Sequence, residues 1–359
     1  MKVLPEEYRA LDDGAAIHRI HEVKRRLGKR VFIMGHNYQR DEVIQFSDVQ
    51  GDSLRLSQIA AKLEQPEYIV FCGVHFMAET ADILCYGRKI VTLPDLSAGC
   101  PMADMAPYDL VNNAWEKIRF TCEDDIIPVA YINCYASLKA FCGENNGVIC
   151  TSSNAEKIFR WAFSLNKRIF FLPDQNLGWN IGKRLGLTQD EMLVWNPLMK
   201  NGGFSQDGLS LAKIILWKGC CPVHEKFQMQ HVQSWRNKHP DYKILVHPEC
   251  VPDVVEMADL VGSTQFIIDT VRDAPAGSKW VIGTEVHLVS RLSRNYPDQE
   301  IRLLSPPTCM CSMMDRTSPQ DLLWNLECLE RGDLTHRITV KEDIRELAKK
   351  SLDLMMTLS

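Results

Sequence analysis

Val31-Phe-Ile-Met-Gly35-His36 is a short apolar run that closes on Gly and His, too short for a globular helix and bounded by turn-forming residues, so it reads as a buried strand. Two runs of the same kind follow: Tyr68-Ile-Val-Phe-Cys72 ending at Gly73, and Lys89-Ile-Val-Thr-Leu93 ending at Pro94-Asp95. Segments of helical period separate them, which is the βα rhythm of a parallel sheet. The order then recurs. A second set comprises Ile126-Ile-Pro-Val-Ala130, Gly147-Val-Ile-Cys150 and Arg168-Ile-Phe-Phe-Leu172, and a third comprises Lys243-Ile-Leu-Val246, Ala258-Asp-Leu-Val261 and Trp280-Val-Ile282. Amphipathic stretches at 53–62, 137–141 and 252–257 lie between the first and second runs of each set.

The expected fold class is therefore α/β, built from three similar three-layer αβα units with short parallel sheets. Unit boundaries are expected at 1–115, 116–215 and 216–300, with 301–359 forming a C-terminal segment. In that segment 318–331 and 340–356 read as helices, the first with Leu322, Leu323, Leu326 and Leu329 along one side. Right-handed crossovers gather ligand groups at the carboxyl ends of such strands, and the polar clusters of each unit stand at those ends.

Several function classes lose ground on composition. With 359 residues, 45% hydrophobic and 24% charged, the chain can bury more than one core. A net charge of -5 and no Lys/Arg-rich run offer no field for a nucleic-acid backbone, so nucleic acid is not an expected partner. No G-x-G-x-x-G follows the opening strand, which weakens a dinucleotide-binding oxidoreductase. The opening Met1-Lys-Val-Leu-Pro5 lacks an apolar signal region and no apolar run nears the roughly 20 residues a membrane helix needs, so no membrane association and a cytoplasmic location are expected.

Thirteen cysteines, an odd number in a chain of this size, argue against a paired disulfide framework and leave buried thiols, metal ligation or redox chemistry. There is no C-x-x-C box. Cys100 in Ser97-Ala-Gly-Cys-Pro101, Cys221 in Gly219-Cys-Cys-Pro222 and Cys311 in Cys309-Met-Cys-Ser312 nevertheless sit in loops that close the units. Residue type alone leaves each open to two readings, metal ligand or inert thiol.

The phrases Gly35-His-Asn-Tyr-Gln39, Gly51-Asp-Ser-Leu54, Val74-His-Phe-Met-Ala-Glu-Thr-Ala81, Ala98-Gly-Cys-Pro-Met-Ala103, Tyr131-Ile-Asn133, Cys150-Thr-Ser-Ser-Asn-Ala155, Pro173-Asp174, Val223-His-Glu225, His247-Pro-Glu-Cys250 and Gly262-Ser-Thr264 resemble the quinolinate synthase family in that order. The match spans about residues 30 to 330. The resemblance implies three units in pseudo-threefold arrangement around a central active site. It also implies a [4Fe–4S] cluster held by Cys100, Cys221 and Cys311, whose open iron serves as Lewis acid. The reaction it implies condenses iminoaspartate with dihydroxyacetone phosphate to quinolinate, within NAD biosynthesis. Cys311 is preferred to Cys309 because the family's C-x-x-M pattern fits Cys311 and Met314; Cys250 and Cys309 are then extra thiols, free or able to pair on oxidation.

The same resemblance carries catalytic roles to Glu249, His247 and Tyr38. It carries substrate binding to His36, Ser53, Tyr131, Asn133, Ser152, Ser263 and Thr264, together with His247 and Glu249. Read from residues alone, His247-Pro-Glu249 is equally a loop-stabilising cluster, and Ser53 is equally a helix N-cap after Gly51-Asp52. Tyr131 and Asn133 are expected to alternate along a strand end and point to one side. His224 is expected near the cluster, whereas His75 and Glu79 are expected to make only a local contact one helical turn apart. The family further implies a supplier of iminoaspartate, either an aspartate oxidase or an aspartate dehydrogenase, and a homodimer is compatible with the sequence. Two rival classes remain at this stage: a non-catalytic iron–sulfur sensor, and a zinc-stabilised scaffold.

Overall fold

The computed structural model describes residues 3–122, 125–305 and 309–359. Its strands form three sheets. The first contains β1 (Val31–His36), β2 (Val49–Gly51), β3 (Tyr68–Cys72) and β4 (Ile90–Thr92) in the order 2-1-3-4, with the short segment Arg337–Ile338 antiparallel on the outer side of β4. The second contains β5 (Ile126–Tyr131), β6 (Val148–Cys150), β7 (Arg168–Leu172), β8 (Met192–Trp195) and β9 (Ile214–Trp217) in the order 6-5-7-9-8. The third contains β10 (Lys243–Val246), β11 (Leu260–Val261), β12 (Lys279–Gly283) and β13 (Glu300–Leu303) in the order 11-10-12-13. Apart from the Arg337–Ile338 pairing, neighbouring strands run parallel. Helices flank them, so the α/β class and the three αβα repeats expected from the sequence are present.

One pattern underlies the three sheets. The opening strand sits inside, its short successor pairs on one edge, and the third and fourth strands extend the other side; β8 is an addition to the second sheet. The strand that follows β1 in the chain and pairs on its outer edge is β2, not Tyr68–Cys72 as the apolar runs suggest. Val49-Gln50-Gly51 is only three residues long, with Gln50 exposed, and so carries little hydrophobic signal.

The chain packs as two lobes, one of Met1–Cys100 with Met310–Arg345, the other of Pro101–Cys309 with Glu346–Ser359. In the first lobe the helix Asp13–Leu27 packs on the helix Pro319–Glu330. Ile20, Val23, Leu322 and Leu326 are sealed against Ile33 and Val70 of the sheet. Burying each such side chain stabilises the fold by roughly 1.5–3 kcal/mol. Both helices are capped by their own sequence: Asp12 accepts the Ala15 N–H at 2.7 Å, and Ser318 and Asp321 form a reciprocal capping box. The ion pair Arg19–Glu327, 2.7 Å long, ties their polar edges.

The second lobe holds the second and third sheets. Its helix Gln175–Arg184 lies hard on the second sheet because residue 178 is glycine: a Cβ there would stand 2.3 Å from Leu216 Cδ2 and 2.5 Å from Phe171 Cδ1. That close seating matters for the site described next.

At the carboxyl ends the repeats place equivalent residues. Each opening strand runs into a polar pair two residues apart: His36 and Tyr38, Tyr131 and Asn133, His247 and Glu249. Each second strand leads to a serine near a helix start, namely Ser53, Ser152 and Ser263. The strands β4, β9 and β13, each flanking the third strand of its sheet, are followed along the chain by Cys100, Cys221 and Cys311.

Candidate active site

Glu249 is the centre of the polar cluster in the second lobe. It follows β10 after His247-Pro248, and the residue is 2% exposed. The Tyr131 hydroxyl, from the end of β5, donates to Oε1 at 2.5 Å. His224 Nδ1 lies 2.7 Å from Oε2, and the other ring nitrogen of His224 lies 3.2 Å from the Thr284 hydroxyl at the end of β12. His247 stacks on His224, with ring centroids 4.5 Å apart and planes 15° apart, and its Nδ1 stands 3.9 Å from Glu249 Oε1. Burial by itself pushes the Glu249 carboxyl up; the charges of His224 and His247 and the hydrogen bonds from His224 and Tyr131 outweigh it and hold the group down to about 2.

A second buried carboxyl has the opposite character. Asp174 follows β7 and caps the helix Gln175–Arg184, its Oδ1 accepting the N–H groups of Asn176 at 2.8 Å and Leu177 at 3.0 Å. Its Oδ2 is buried without a hydrogen-bond partner. Burial first, then the nearby negative charge of Glu249, push Asp174 well above the ordinary carboxyl range, against the pull of the two backbone donors. The environment thus drives the proton affinities of the two carboxyls apart, Glu249 down and Asp174 up.

The histidines of two repeats are oriented alike. The Tyr38 N–H donates to His36 Nδ1 at 3.2 Å, and the Glu249 N–H donates to His247 Nδ1 at 3.4 Å. In the neutral ring this leaves the proton on Nε2. Neighbouring loops are also stitched alike: the Asn37 N–H donates to the Gly51 carbonyl beside Ser53, the Ile132 N–H to the Cys150 carbonyl near Ser152, and the Gly262 N–H beside Ser263 to the Val246 carbonyl.

The expected site residues fall into these frames with two adjustments. Ser53 is the first helical residue, not the cap; Asp52 caps the helix by accepting the Arg55 N–H at 2.9 Å. Asn133 lies in the bend after β5, so strand alternation with Tyr131 does not set its direction, and its buried Oδ1 has no hydrogen-bond partner. Ser263 does cap the helix Thr264–Arg272, through the Phe266 N–H at 3.3 Å, and both Ser263 and Thr264 are buried. Ser152 is half-buried in its turn. Tyr131, His247 and Glu249 come together directly, and the loops of Ser152, Ser263 and Thr264 are stitched to the strand ends that carry them. His75 and Glu79 make the local contact expected, at 3.7 Å.

In the first lobe, His36 and Tyr38 meet edge to face, 4.8 Å between centroids. The same loop reaches the Cys311 segment: the Gln39 amide donates to the Met314 sulfur at 3.7 Å, and Arg40 pairs with Asp315 at 2.7 Å. The Cys100 loop is tied to that segment as well, through Arg316 and Asp95 at 2.9 Å. Met314 of the C-x-x-M pattern is thus buried as a packing and hydrogen-bonding partner of Gln39.

Burial sorts the cysteines. Cys100, Cys220, Cys221 and Cys311 are half-buried, and the other nine are buried. Cys220 donates its thiol to Glu225 at 2.9 Å; burial and that carboxylate push it up to about 12, making it a poor ligand beside Cys221. The ligating atoms of Cys221, His224 and Glu249 lie within 4.8 Å of one another, a donor set that suits a metal ion. Both ring nitrogens of His224 are already engaged, by Glu249 and Thr284. Cys100, Cys221 and Cys311 are each half-buried in a loop that closes a repeat, the setting of a thiol open to ligation.

Comparison with known proteins bears on the chain as a whole. Positions 18–357 match the family described as quinolinate synthetase A protein. The chain belongs to this family. It is 50% identical to a quinolinate synthase of Geobacillus sp. (strain WCH70) over 356 residues, covering 99% of this chain and 97% of that one. It is 48% identical to a quinolinate synthase of Bacillus subtilis (strain 168), covering 99% and 97%. Within a quinolinate synthetase A chain, the groups to which residue type assigned no role are Thr284, Asp174 and Gln39. Pro173-Asp174 marked a strand end but not a buried acid, and Thr284 stands beside the Gly283 turn with no signal of its contact to His224.

Proposed function

We propose that the chain is a quinolinate synthase, condensing iminoaspartate with dihydroxyacetone phosphate and releasing phosphate and water in the formation of the NAD pyridine ring. The observation that carries this reading is Glu249, a buried carboxylate held ionised by two imidazoles and a phenol in a member of this family.

Glu249 is the proton acceptor. A carboxyl held near 2 is a weak base while all its partners remain in place. A substrate carboxylate or carbonyl that takes over the Tyr131 hydroxyl leaves Glu249 with fewer donors, and its basicity rises where the substrate arrives. His224, oriented by Thr284, keeps the carboxylate aimed, and His247 and His36 present Nε2–H groups to substrate oxygens. Asn133 brings an acceptor that a substrate N–H or O–H can satisfy. Ser53, Ser152, Ser263 and Thr264, at or beside helix N-termini, suit the carboxylates and the phosphate of the two substrates. Tyr38 is half-buried beside His36 and serves as a second phenolic proton carrier.

Cys100, Cys221 and Cys311 are the thiolate ligands of a [4Fe–4S] cluster in this reading. When bound, such a cluster supplies an open iron acting as a Lewis acid toward substrate. A sensor of iron or oxygen would have no use for two buried carboxyls whose proton affinities are driven apart. The cytoplasm, where thiols stay reduced, suits the thirteen cysteines, and iminoaspartate would come from an enzyme that oxidises aspartate.

Protein purified without oxygen and given dihydroxyacetone phosphate with freshly generated iminoaspartate should form quinolinate, and the preparation should contain iron and sulfide rather than zinc. Iron-replete protein that forms no quinolinate under these conditions would overturn the proposal.

A further inference from the structure

The loop that carries Glu249 is gripped from another sheet. Asn180 stands on the helix Gln175–Arg184, and its side-chain amide nitrogen donates to the Pro248 carbonyl at 2.8 Å and to the Cys250 carbonyl at 2.8 Å. These carbonyls belong to the residues immediately before and after Glu249. Both amide hydrogens of Asn180 are therefore spent on one three-residue segment, in a place where Asn180 is only 8% exposed and water cannot substitute.

We infer that Asn180 is a positioning residue for Glu249, its amide fixing the two flanking carbonyls and hence the direction in which the carboxylate leaves the loop. The inference rests on Glu249 being the catalytic base and adds the group that aims it.

Three features make the grip stiff. The helix that bears Asn180 is set close on the second sheet by Gly178, and its first turn is closed by the buried Asp174 cap. The gripped loop is also held through the His247 N–H to the Gly283 carbonyl at 3.1 Å, the Cys250 N–H to the His247 carbonyl at 3.0 Å, the Glu249 N–H to His247 Nδ1 at 3.4 Å and the Cys250 thiol to the Gly283 carbonyl at 3.6 Å. Those contacts fix the start and turn of the loop but leave the carbonyls on either side of Glu249 to Asn180. The second sheet also supplies Tyr131, so donor and grip come from one sheet and meet a carboxylate from another. A small error in this registry would misalign both the Tyr131 and the His224 contacts, and displacements of about 1 Å at reacting groups cost on the order of 100-fold.

The test is kinetic, on cofactor-loaded enzyme with matched iron content and below the melting temperature. Asn180→Leu keeps the volume and removes both donors; Asn180→Gln keeps the donors on a longer stem. Asn180→Leu should lower kcat by about 10- to 100-fold with KM for both substrates within about twofold. Asn180→Gln should recover part of the loss. The Tyr131→Phe background supplies a second reading: the loss caused by Asn180→Leu should be at least about threefold smaller there, because both changes act on one carboxylate. Should Asn180→Leu not hold its fold, the same comparison is made with Asn180→Gln.

Unchanged kcat in the substituted enzyme, or losses that multiply independently with Tyr131→Phe, would overturn the inference while the parent's turnover left the proposed function standing. A parent without turnover would remove both.

Discussion

His224 lies face to face with His247, 4.5 Å between ring centroids, yet His224 Nδ1 stands 2.7 Å from the Glu249 carboxylate whereas His247 Nδ1 stands 3.9 Å from it. The carboxylate feels the field of two imidazoles and the geometry of one. That division yields distinct expectations for each neighbour.

Glu249→Gln keeps the shape of the side chain and removes its charge. Turnover should fall by about 100- to 10,000-fold, the range for loss of a general base, with metal content unchanged. Quinolinate formation and iron analysis on the same preparation decide it: normal turnover removes Glu249 from the chemistry.

Thr284→Val should leave the second ring nitrogen of His224 facing a methyl group. A buried polar group left unsatisfied costs about 1–3 kcal/mol, and a ring free to turn weakens its hold on Glu249. We expect both a lower melting temperature and slower turnover, with Thr284→Ser restoring most of each. A defect in Thr284→Ser with none in Thr284→Val would mean that the methyl, not the hydroxyl, matters.

Asp174→Asn should stabilise the protein at neutral pH. The folded state holds this carboxyl above its ordinary value, whereas the unfolded chain ionises near about 3.9, so rising pH above that value favours the unfolded state. Asparagine keeps the Oδ1 acceptor of the cap and removes the proton linkage. Melting curves from about pH 4.5 to 8 should show the variant gaining on the parent as pH rises; a gap that narrows with pH would contradict the assignment.

Cys100→Ser, Cys221→Ser and Cys311→Ser should each lose bound iron while far-ultraviolet circular dichroism stays unchanged, and Cys220→Ser should keep its iron. The adjacent pair is the sharper comparison, because Glu225 holds the Cys220 thiol protonated. Full iron content in any of the first three would strike that residue from the ligand set.

Much of this architecture was legible because buried parallel strands announce themselves as apolar runs. Tyr68–Cys72, Arg168–Leu172 and Lys243–Val246 stand where the runs put them. β2 and β13 were not found: the first is three residues long, and in the second Glu300 and Arg302 are exposed on either side of buried Ile301. β9, fully buried, escaped for another reason, since Ile214-Ile-Leu-Trp217 falls after the three-run rhythm is already complete. Asp13–Leu27 shows the limit of reading strands first, because its partner Pro319–Glu330 lies far along the chain and only packing joins them.

For the site, residue type and phrase pointed to Tyr131, His247 and Glu249, which share one polar cluster. The groups that were not legible are those whose role is set by what they touch. Asn180, Thr284 and Asp174 are ordinary helix and strand-end residues in a string of letters. Their significance lies in two carbonyls, one ring nitrogen and one absent solvent shell.

The uneven burial of the thiols gives the molecule a built-in gauge. A small alkylating reagent applied to the native chain can reach four sulfurs and is shut out from nine, and one of the four, Cys220, reacts slowly because its proton is held tightly. The remaining three, Cys100, Cys221 and Cys311, are the ligands proposed above, which a bound cluster would shield. Counting rapidly modified cysteines by mass spectrometry would therefore report occupancy molecule by molecule, without colour, spectroscopy or turnover.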